Sequence, residues 1–513
     1  MSNSEQYAAR ALREFDGEAS DLAVQPYFED VSEHGGAPVV PLWSPRPLVV
    51  DLDGTLLRSD LLIERIFAEL GRRPHAVIEL FAALRQGKSV LKHRLSEAAD
   101  FNPSILPYDE VVLRCLQEAR AQGRPVYLAS ASHEKLVAPI AEHLGLFDGW
   151  FATNEFTNLS GRVKAELLVD TFGEKGFDYI GNDKADLEVW PHAAKALAIR
   201  ASGGVGRALA SRCDDIEHLE HDRATWREWL RLMRVHQYAK NALVFVPLLT
   251  SQMFELTAFL AALTAVIAFS LCASSVYILN DLIDIQDDRG HRSKRFRPLA
   301  AGTIPIADAV LAVPILLGIS MAIASAISLP FLGVLVAYYV LTTAYSFFLK
   351  RQLMSDVVAL AGLYTIRVVG GAVAIGAGLS FWFLGFLMAW FLSLALIKRF
   401  VEMQARREAG LPDSTSRDYR NDDYLIVGAL AAAAGFQAIT LFVLYGTSDA
   451  ALANYSRPDL LWLVAPVLTF WLGRALVVAH RGEMHDDPMV FALKDRVSIV
   501  TLAAAGALVV GAM

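Results

Sequence analysis

Cysteine is scarce in this sequence, and an excess of positive charge is missing. The three cysteines, Cys115, Cys213 and Cys272, show no CxxC spacing, which argues against a disulfide framework and a zinc site. Lysine and arginine number 47 against 55 aspartates and glutamates, for a formal net charge of −8. A net negative chain argues against nucleic acid as a partner. The polar N-terminus also lacks an apolar signal region, so we expect it to stay cytoplasmic.

Long apolar runs are missing up to about residue 235. From there to the C-terminus, apolar runs follow one another. The 513 residues exceed one domain, so we predict a soluble half and an all-α membrane half. By hydropathy we expect about nine spanning helices, near residues 238–253, 257–280, 305–327, 330–349, 356–378, 380–398, 423–445, 459–479 and 493–512. Loops on one side carry nearly all the lysine and arginine, which predicts an inner-membrane protein with these loops in the cytoplasm.

A row of one asparagine and three acids ends the second of these runs: Asn280, Asp281, Asp284 and Asp288. On one helix these positions share a face. Acids at membrane depth are costly unless they hold something, and clustered like charges favour a divalent cation. Magnesium needs few carboxylates and otherwise takes water and phosphate oxygens. The row therefore predicts a Mg²⁺ site.

Basic residues follow the acids directly, among them His291, Lys294, Arg295 and Arg297. Such donors suit a diphosphate. The simpler alternative is a charged loop that obeys the positive-inside rule. That alternative explains the bases but not the regularly spaced acids, so we favour a substrate site.

A second acidic motif lies in the soluble half, where the strand-like run Leu48–Val50 ends in Asp51, followed by Asp53 and Thr55. Carboxylates two apart at a strand end point the same way. One can attack phosphorus while the other acts as general acid and base.

This DxDGT pattern resembles the first motif of the haloacid dehalogenase superfamily, and three further motifs follow in order. Ser130 ends a second strand-like run, Lys164 lies in SGRVKAELL, and residues 177–190 read FDYIGNDKADLEVW. The resemblance implies a Rossmann-like α/β fold with a small helical cap at about 61–120. It also implies a phosphatase in which Thr55, Ser130 and Lys164 bind the phosphoryl group and Asp51, Asp53 and the fourth motif bind Mg²⁺.

The fourth motif departs from the family pattern at Asn182, where an acid is expected. An amide oxygen is a neutral and weaker ligand for magnesium. Asp183 and Asp186 remain as acids that compensate. This departure puts phosphatase turnover in doubt more than it does the fold.

Domain boundaries follow from these changes in composition. We predict an N-terminal extension over 1–45, the α/β domain over 46–200, a linker with an interfacial helix over 201–235, and the membrane domain over 236–513. The GGVGR segment within residues 201–226 lacks the GK[ST] ending of a phosphate loop, which favours a flexible linker. Residues 226–240 mix aromatics and bases, as interfacial helices do.

The acidic row with its trailing bases is similar to the first aspartate-rich motif of the UbiA-type intramembrane transferases, a nine-helix family. The resemblance implies that Asn280, Asp281, Asp284 and Asp288 hold Mg²⁺ against a diphosphate, with Asp281 and Asp284 catalytic. It also implies a polyprenyl chain in a lipid-open tunnel. The tyrosine-aspartate cluster of aromatic prenyltransferases is missing after the sixth predicted span, where the sequence reads LIKRFVEMQARREAG.

Within that superfamily the chain is similar to the decaprenyl-phosphate 5-phosphoribosyltransferases. Shared features are the form NDxxDxxxDRxHxxKRxRPxAAG and a later block with Tyr345, Lys350 and Asp356. The resemblance implies transfer of 5-phosphoribose from phosphoribosyl pyrophosphate to a polyprenyl phosphate. Lys398, Arg399 and Glu402 then become candidates for phosphate and substrate binding, against the alternative of a solvated loop.

Some membrane-half residues leave alternatives open. Asp356 either binds ribose hydroxyls or caps a helix. Arg367, inside a predicted span, needs a substrate phosphate or an acid partner. Asp486, Asp487 and Asp495 either support a second metal or belong to an exposed loop.

The leading hypothesis is a bifunctional enzyme that makes lipid-linked ribose for the cell envelope, with the phosphatase removing the 5-phosphate. The alternatives are a prenyltransferase for an aromatic or other small acceptor, and a membrane scaffold with a degenerate phosphatase fold. Homo-oligomers are compatible with the sequence.

Overall fold

The computed structural model describes residues 45–513 apart from positions 74, 98–101, 155–156, 222–223, 414–416 and 485–486. The predicted extension over 1–45 lies outside the described residues except for its last position. The strands are β1 Leu48–Val50, β2 Val126–His133, β3 Gly149–Thr153, β4 Asp178–Gly181, β5 Lys195–Ala198 and β6 Ile216–His218. The helices of the soluble half are α1 Leu61–Arg72, α2 Ala76–Gln86, α3 Lys88–Glu97, α4 Glu110–Ala121, α5 Glu134–Leu144, α6 Arg162–Phe172 and α7 Gly203–Ala210.

After β6, every element of the described residues is helical. These helices are α8 Trp226–Leu232, α9 Val246–Thr250, α10 Leu256–Ile283, α11 Ile285–Gly290, α12 Ile306–Ile327, α13 Leu329–Phe347, α14 Ser355–Ile375, α15 Phe381–Glu408, α16 Tyr424–Gly446, α17 Asp449–Asn454, α18 Asp459–Trp462, α19 Val464–His480, α20 Pro488–Lys494 and α21 Arg496–Ala512. Both predicted fold classes, α/β and all-α, are confirmed.

A parallel six-stranded sheet in the order β3-β2-β1-β4-β5-β6 organises the soluble half. Its central strand β1 is apolar and fully buried, because helices cover both faces of a parallel sheet. This strand order is Rossmann-like. In such sheets ligands bind at the carboxyl ends of the strands, where the order reverses. Asp51 lies at that edge.

The cap is smaller than predicted. Helices α1, α2 and α3 share a small apolar core of their own, formed by Leu80, Ala83, Leu91 and Leu95 with Leu62, Ile66 and Leu70. Helix α4 instead packs on the sheet through Val112 and Leu116. The cap therefore covers 61–97 rather than about 61–120.

The predicted flexible linker is partly regular structure. The GGVGR segment begins helix α7, which Ser202 caps by accepting a hydrogen bond from Val205 N at 3.3 Å. Strand β6 then pairs with β5 and completes the sheet. Its sequence, Ile-Glu-His, is half-buried at Ile216 and exposed at the other two positions. It lacks the apolar run by which the other strands are recognised, and the predicted boundary at residue 200 falls short for this reason.

Seven helices of the described chain are long and apolar enough to cross a membrane, or eight if the bent pair α20 and α21 is one span. The predicted count of nine is not confirmed. The first predicted span, 238–253, is instead a 3₁₀ segment, Val235–Phe245, followed by the five-residue helix α9. Polar Lys240 and Asn241 interrupt its apolar run, and Asn241 is buried inside the bundle.

The spanning helices expose large apolar side chains, as Leu311, Ile315 and Ile319 of α12 show. Only 11% of the apolar stretch of α12 is buried inside the protein. The rest of this surface therefore requires an apolar solvent. The protein is an integral membrane protein.

Helix α1 of the cap docks on the membrane half. Its Ile63 and Phe67 pack against a cluster that contains Leu282 and Ile285. Beside this cluster the Arg289 guanidinium binds both carboxylate oxygens of Glu64, at 2.9 and 2.6 Å. Both side chains are almost fully buried. The two halves are therefore joined by an apolar contact with an ion pair at its edge.

Candidate active sites

The sheet site brings together the predicted residues Asp51, Asp53, Ser130, Lys164 and Asn182. Lys164 comes from the first turn of α6, and the others lie at the carboxyl ends of strands or directly after them. Lys164 Nζ donates to Asp51 Oδ1 at 2.7 Å. Thr55 Oγ1 lies 3.2 Å from Asp51 Oδ2 and 3.1 Å from Asn182 Oδ1. Both oxygens lie within hydrogen-bond distance of the same Thr55 hydroxyl, so the Asp51 carboxylate and the Asn182 amide oxygen face the same side of the site.

Asp53 lies beside the second motif and at the start of the cap. Its Oδ1 accepts a hydrogen bond from Leu61 N at 2.8 Å, and its Oδ2 accepts one from Ser132 Oγ at 2.6 Å. Ser130 Oγ lies 3.5 Å from the same Oδ2. The first residue of helix α1 therefore holds this carboxyl group directly.

Both motif carboxyl groups have raised pKa values. Burial raises the pKa of Asp53 to about 7, and the neighbouring Asp60 adds to the shift. Burial also raises the pKa of Asp51 to about 6, against the opposing charge of Lys164. A carboxyl group with a pKa near neutrality is suited to give and take a proton, which matches the acid-base role predicted for Asp53.

The fourth motif divides its residues between two tasks. Asp186 is buried, and its oxygens accept hydrogen bonds from Tyr179 OH at 2.7 Å, Asn182 N at 2.8 Å and Asp183 N at 3.0 Å. Lys164 Nζ lies 3.6 Å from it. Asp183 is exposed. Asp186 thus fixes the loop and balances the lysine, while the Asn182 amide oxygen points toward Asp51.

Gly54 makes this arrangement sterically accessible. Its φ is +76°, and an added Cβ would lie 2.2 Å from Asn182 Nδ2. Glycine is the residue that takes such a conformation without strain. The glycine of DxDGT therefore lets the asparagine approach the first motif.

Magnesium fits the sheet site with few protein ligands. Across residues 45–513 with the gaps given above, no three His, Cys, Asp or Glu side chains are grouped closely enough to hold a metal ion. Magnesium commonly uses one or two carboxylates and takes its remaining oxygens from water and phosphate. The carboxylate of Asp51 and the amide of Asn182 supply oxygens of the required kind.

The membrane site is formed by Asn280, Asp281, Asp284 and Asp288 at the end of α10. They do not share one continuous helix face, because α10 ends at Ile283 and Asp284 is its C-cap. Asp281 and Asp288 are joined by Arg297 Nη1, at 3.1 and 2.7 Å. The four residues form two pairs, and Asp281 with Asp288 is the more deeply buried pair.

The second pair is held by Lys350, whose Nζ lies 3.6 Å from Asp284 Oδ2 and 3.5 Å from Asn280 Oδ1. Asn280 Nδ2 also donates to Asp284 Oδ2 at 3.0 Å. A basic side chain from the loop after α13 therefore reaches the acidic motif, as the predicted substrate role of Lys350 requires.

The membrane site fits a divalent cation bound with an anionic ligand. Asp288 Oδ1 is buried and accepts no hydrogen bond from any described residue, although Lys294 Nζ lies 3.8 Å away. The acids supply oxygen donors, and the bases that now neutralise them are good phosphate ligands. A metal diphosphate satisfies both sets at once.

The rest of the basic run lies on the surface. His291, Lys294 and Arg295 are exposed. His291 Nδ1 accepts from Ser293 N at 3.2 Å and from Lys294 N at 3.4 Å. Arg295 lies over the ring of Phe296, 4.9 Å from its centroid. Of the predicted run, Arg297 is the member that reaches both Asp281 and Asp288.

Sequence reasoning missed Arg234, which donates a hydrogen bond to Asp281 Oδ1. Its φ is +54°, unusual for a residue with a side chain, and its guanidinium lies 5.0 Å from the ring centroid of Tyr277. The turn after α8 thus places a third base at the membrane site. Its position before the spans gave no motif to find it by.

The cap residue Lys92 was also missed. Its Nζ donates to Ala131 O at 2.6 Å and to Asn158 Oδ1 at 2.8 Å. His93 Nδ1 lies 3.3 Å from His133 Nε2. Helix α3 therefore contacts the end of strand β2, just after Ser130, and Asn158 before α6.

The last turns of α15, Phe381–Glu408, contribute ion pairs beside the bundle. Lys398 Nζ donates to Asp487 Oδ2 at 2.8 Å. Arg399 pairs with Asp356 at 2.7 Å and with Glu402. These three candidates are paired residues rather than parts of a freely solvated loop.

Of the two alternatives for Asp356, the structure contradicts helix capping, and ribose binding stays a prediction. Met354 is the N-cap of α14, and Asp356 lies in the first turn, fully buried. Besides Arg399 it accepts a hydrogen bond from Tyr419 OH at 2.7 Å. Tyr345 is half-buried near the end of α13.

Arg367 has polar partners, but they are neutral. Its Nε donates to Asn241 Oδ1 at 2.8 Å, its Nη2 to Tyr338 OH at 2.9 Å, and its Nη1 to Leu363 O. The expected acid partner is therefore replaced by three neutral oxygens and the rings of Tyr338 and Tyr364.

The late acids serve as helix caps. Asp487 caps α20 and Asp495 caps α21, and Asp495 also binds Arg474 at 2.7 Å. Asp486 lies outside the described residues.

Comparisons with known families agree with both motif sets. Residues 242–494 match the UbiA prenyltransferase family. Residues 48–176 match the haloacid dehalogenase-like hydrolases. Both predicted family resemblances are confirmed.

Three relatives show how far the similarity extends. The protein y4nM of Sinorhizobium fredii is 34% identical over 455 residues, which cover 88% of each chain. Nodulation protein NoeC of Azorhizobium caulinodans is 31% identical over 52% of this chain and 88% of its own. The decaprenyl-phosphate phosphoribosyltransferase of Mycolicibacterium smegmatis is 30% identical over 52% of this chain and 86% of its own.

Proposed function

Because this chain belongs to the UbiA prenyltransferase family and carries a haloacid dehalogenase-like hydrolase domain before it, we propose that it is a bifunctional enzyme. The membrane half transfers 5-phosphoribose from phosphoribosyl pyrophosphate to a polyprenyl phosphate. The hydrolase domain then removes the 5-phosphate, and the product is a lipid-linked ribose for cell-envelope synthesis. Both sites face the cytoplasm at the inner membrane.

One observation carries the transferase proposal, namely the interleaving of acids and bases in the membrane site. Arg234 and Arg297 bind Asp281, while Lys350 bridges Asn280 and Asp284. A purely acidic site suits metal ions, whereas this mixed site suits a metal together with phosphate groups. The basic residues in the last turns of α15, in the region where aromatic prenyltransferases carry a second acidic cluster, favour a phosphorylated sugar over a prenyl donor.

The transfer step breaks the bond between the anomeric carbon and the pyrophosphate oxygen, and the electron pair leaves with pyrophosphate. An oxygen of the polyprenyl phosphate forms the new bond to that carbon. Asn280, Asp281, Asp284 and Asp288 would hold Mg²⁺, which neutralises charge on the leaving group when it is bound. Arg234, Arg297 and Lys350 would bind the pyrophosphate oxygens as they separate from the acids.

In the hydrolase step an Asp51 oxygen attacks the 5-phosphate, and the ribose oxygen leaves with a proton from Asp53. Water, deprotonated by Asp53, then cleaves the phosphoaspartate and releases inorganic phosphate. Lys164 neutralises charge beside Asp51, and Ser130 binds the phosphoryl group. Mg²⁺ at Asp51 and Asn182 would add to that neutralisation.

Because the cap docks on the membrane half, the two proposed active sites are held close to each other in one chain. Tethering raises the effective concentration of the phosphorylated lipid at the second site. The buried contact of Glu64 with Arg289 fixes the hydrolase beside helix α11, which carries Asp288.

The test uses purified full-length protein in lipid nanodiscs with Mg²⁺. It is supplied either with phosphoribosyl pyrophosphate and polyprenyl phosphate, or with a prenyl diphosphate and an aromatic acceptor. We expect lipid-linked ribose from the first pair, and lipid-linked phosphoribose from the Asp51→Asn variant. Alanine at both Asp281 and Asp284 should abolish transfer and spare hydrolysis of a soluble phosphate ester. Product from the second pair alone would instead support prenyl transfer.

A further inference from the structure

Helix α2 of the cap has an unusual second apolar face. Its buried side, Ala76, Leu80 and Ala83, packs within the cap. Its outer side exposes four large apolar residues, Val77 by 54%, Ile78 by 74%, Phe81 by 57% and Leu84 by 47%. At 100° per residue these four lie within one sector of the helix. Soluble domains rarely present such a continuous patch without a partner.

Two contacts of the preceding helix α1 show where α2 lies. In its first turn, Glu64 binds Arg289, which lies beyond the end of the spanning helix α10. At its C-terminal end, Gly71 lies against Ile283, so closely that an added Cβ would be 2.3 Å from Ile283 Cγ2. Ile283 is the last residue of α10. Helix α1 therefore approaches the membrane toward its C-terminal end, and α2 begins there.

A second surface near the same contact is also apolar and exposed. Helix α8 exposes Trp226 by 68% and Leu230 by 40%. Trp229 of α8 packs in the cluster that holds Ile63 and Phe67 of α1. Helix α8 and the start of α2 thus both lie near the end of α10.

Basic residues surround the apolar face of α2. Arg72 and Arg73 are exposed at the end of α1, and Arg85 is exposed on α2. The Arg85 guanidinium lies over the Phe81 ring, 4.7 Å from its centroid. An arginine beside an apolar face places its stem along that face and its charge among anionic headgroups.

We propose that the outer face of α2 inserts into the headgroup region of the bilayer, with anionic lipids bound by the flanking arginines. The cap is then fixed twice, by the protein contact at α1 and by the membrane at α2. A bilayer is the occupant that fits, because α2 begins near the end of a spanning helix and because exposed arginines, which complement anionic headgroups, flank its apolar face. This anchoring is independent of which lipid the transferase uses.

The experiment places a nitroxide label on the full-length protein in nanodiscs of neutral lipid, with or without anionic lipid. Cysteine replaces Ile78 or Phe81, and the matched control is Leu167→Cys on helix α6, an apolar position exposed by 38%. Cys115 and Cys213 are replaced by serine in each variant. Collision rates with oxygen and with a water-soluble nickel complex report the depth of each label.

We expect labels at 78 and 81 to favour oxygen and to move deeper with anionic lipid, while the label at 167 favours nickel. Equal nickel access at all three positions would overturn the proposal. Dipolar broadening between labels at 78, independent of lipid, would assign the face to a second copy and overturn it as well.

A functional arm separates anchoring from catalysis. The double variant Ile78→Asp/Phe81→Asp should lose hydrolysis of phosphorylated lipid in nanodiscs and retain hydrolysis of a soluble phosphate ester, which also reports correct folding. The double leucine variant is the matched control and should retain both. If no phosphorylated lipid is a substrate even for the unmodified protein, the function proposed above fails while the label depths still decide the anchoring.

Discussion

Removing one partner of the Glu64–Arg289 ion pair should loosen the cap from the membrane half. Arg289→Met leaves the Glu64 carboxylate at a site where its side chain has 0% exposure. Breaking a buried pair in this way costs about 3–5 kcal/mol, which corresponds to roughly a thousandfold change in an equilibrium constant. Glu64→Leu should cost a similar amount, because Arg289 then keeps only Ala300 O as an acceptor among the described residues.

The double variant Glu64→Leu/Arg289→Met should be milder than either single variant. Replacing both charges by apolar groups of similar size is often neutral or stabilising. A double-mutant cycle then gives a large coupling energy between the two positions. The apolar contacts of Ile63 and Phe67 remain and keep the cap docked.

Amide hydrogen exchange of full-length protein measures this directly, because exchange reports the free energy of local opening. Peptides from α1 should exchange up to about a thousandfold faster in each single variant and near the original rate in the double variant. Peptides from α4 serve as the internal reference. Arg94→Met breaks an exposed cap pair with Glu79 and should cost only about 0–1 kcal/mol. Unchanged α1 exchange in the single variants, or additive effects in the double, would refute the reasoning.

Three further predictions concern the two sites. Hydrolysis of a soluble phosphate ester should slow as the pH rises through about 7. Burial raises the pKa of Asp53 to about 7, and only the protonated carboxyl group can donate a proton to the leaving oxygen. A profile of kcat between pH 5 and 9 checks this. Asn182→Asp should lower the Mg²⁺ concentration needed for half-maximal hydrolysis, since a carboxylate binds magnesium more strongly than an amide; a magnesium titration at fixed pH measures it, and an unchanged midpoint argues against Asn182 as a ligand. Arg234→Met should raise the KM for phosphoribosyl pyrophosphate by roughly tenfold or more, from ~1.5–3 kcal/mol for a hydrogen bond to a charged group; Arg295→Met, at an exposed position, is the matched control.

The motif residues of both sites were predictable because their chemistry is local in sequence. Asp51 and Asp53 lie at the end of an apolar strand, and a parallel sheet brings such strand ends to one edge. Lys164 then meets Asp51 at 2.7 Å. The acidic row after α10 was equally visible, because acids after a long apolar run are rare.

The remaining features depend on contacts that sequence spacing does not reveal. Glu64 and Arg289 are separated by 225 positions, and neither belongs to a motif. Strand β6 forms because its backbone pairs with β5, although Glu217 and His218 are exposed. Lys240 and Asn241, near the start of the first predicted span, leave too short an apolar run to cross a membrane. A hydropathy average over the whole segment does not show this.

The order of the two reactions is the central claim, and phosphoribosyl pyrophosphate labelled in its 5-phosphate tests it most directly. In nanodiscs with polyprenyl phosphate and Mg²⁺, the label should appear first on lipid and then as inorganic phosphate, and Asp51→Asn should hold it on the lipid. Without polyprenyl phosphate no labelled phosphate should be released. Release of labelled phosphate from the soluble donor alone, before any lipid is labelled, would contradict the account.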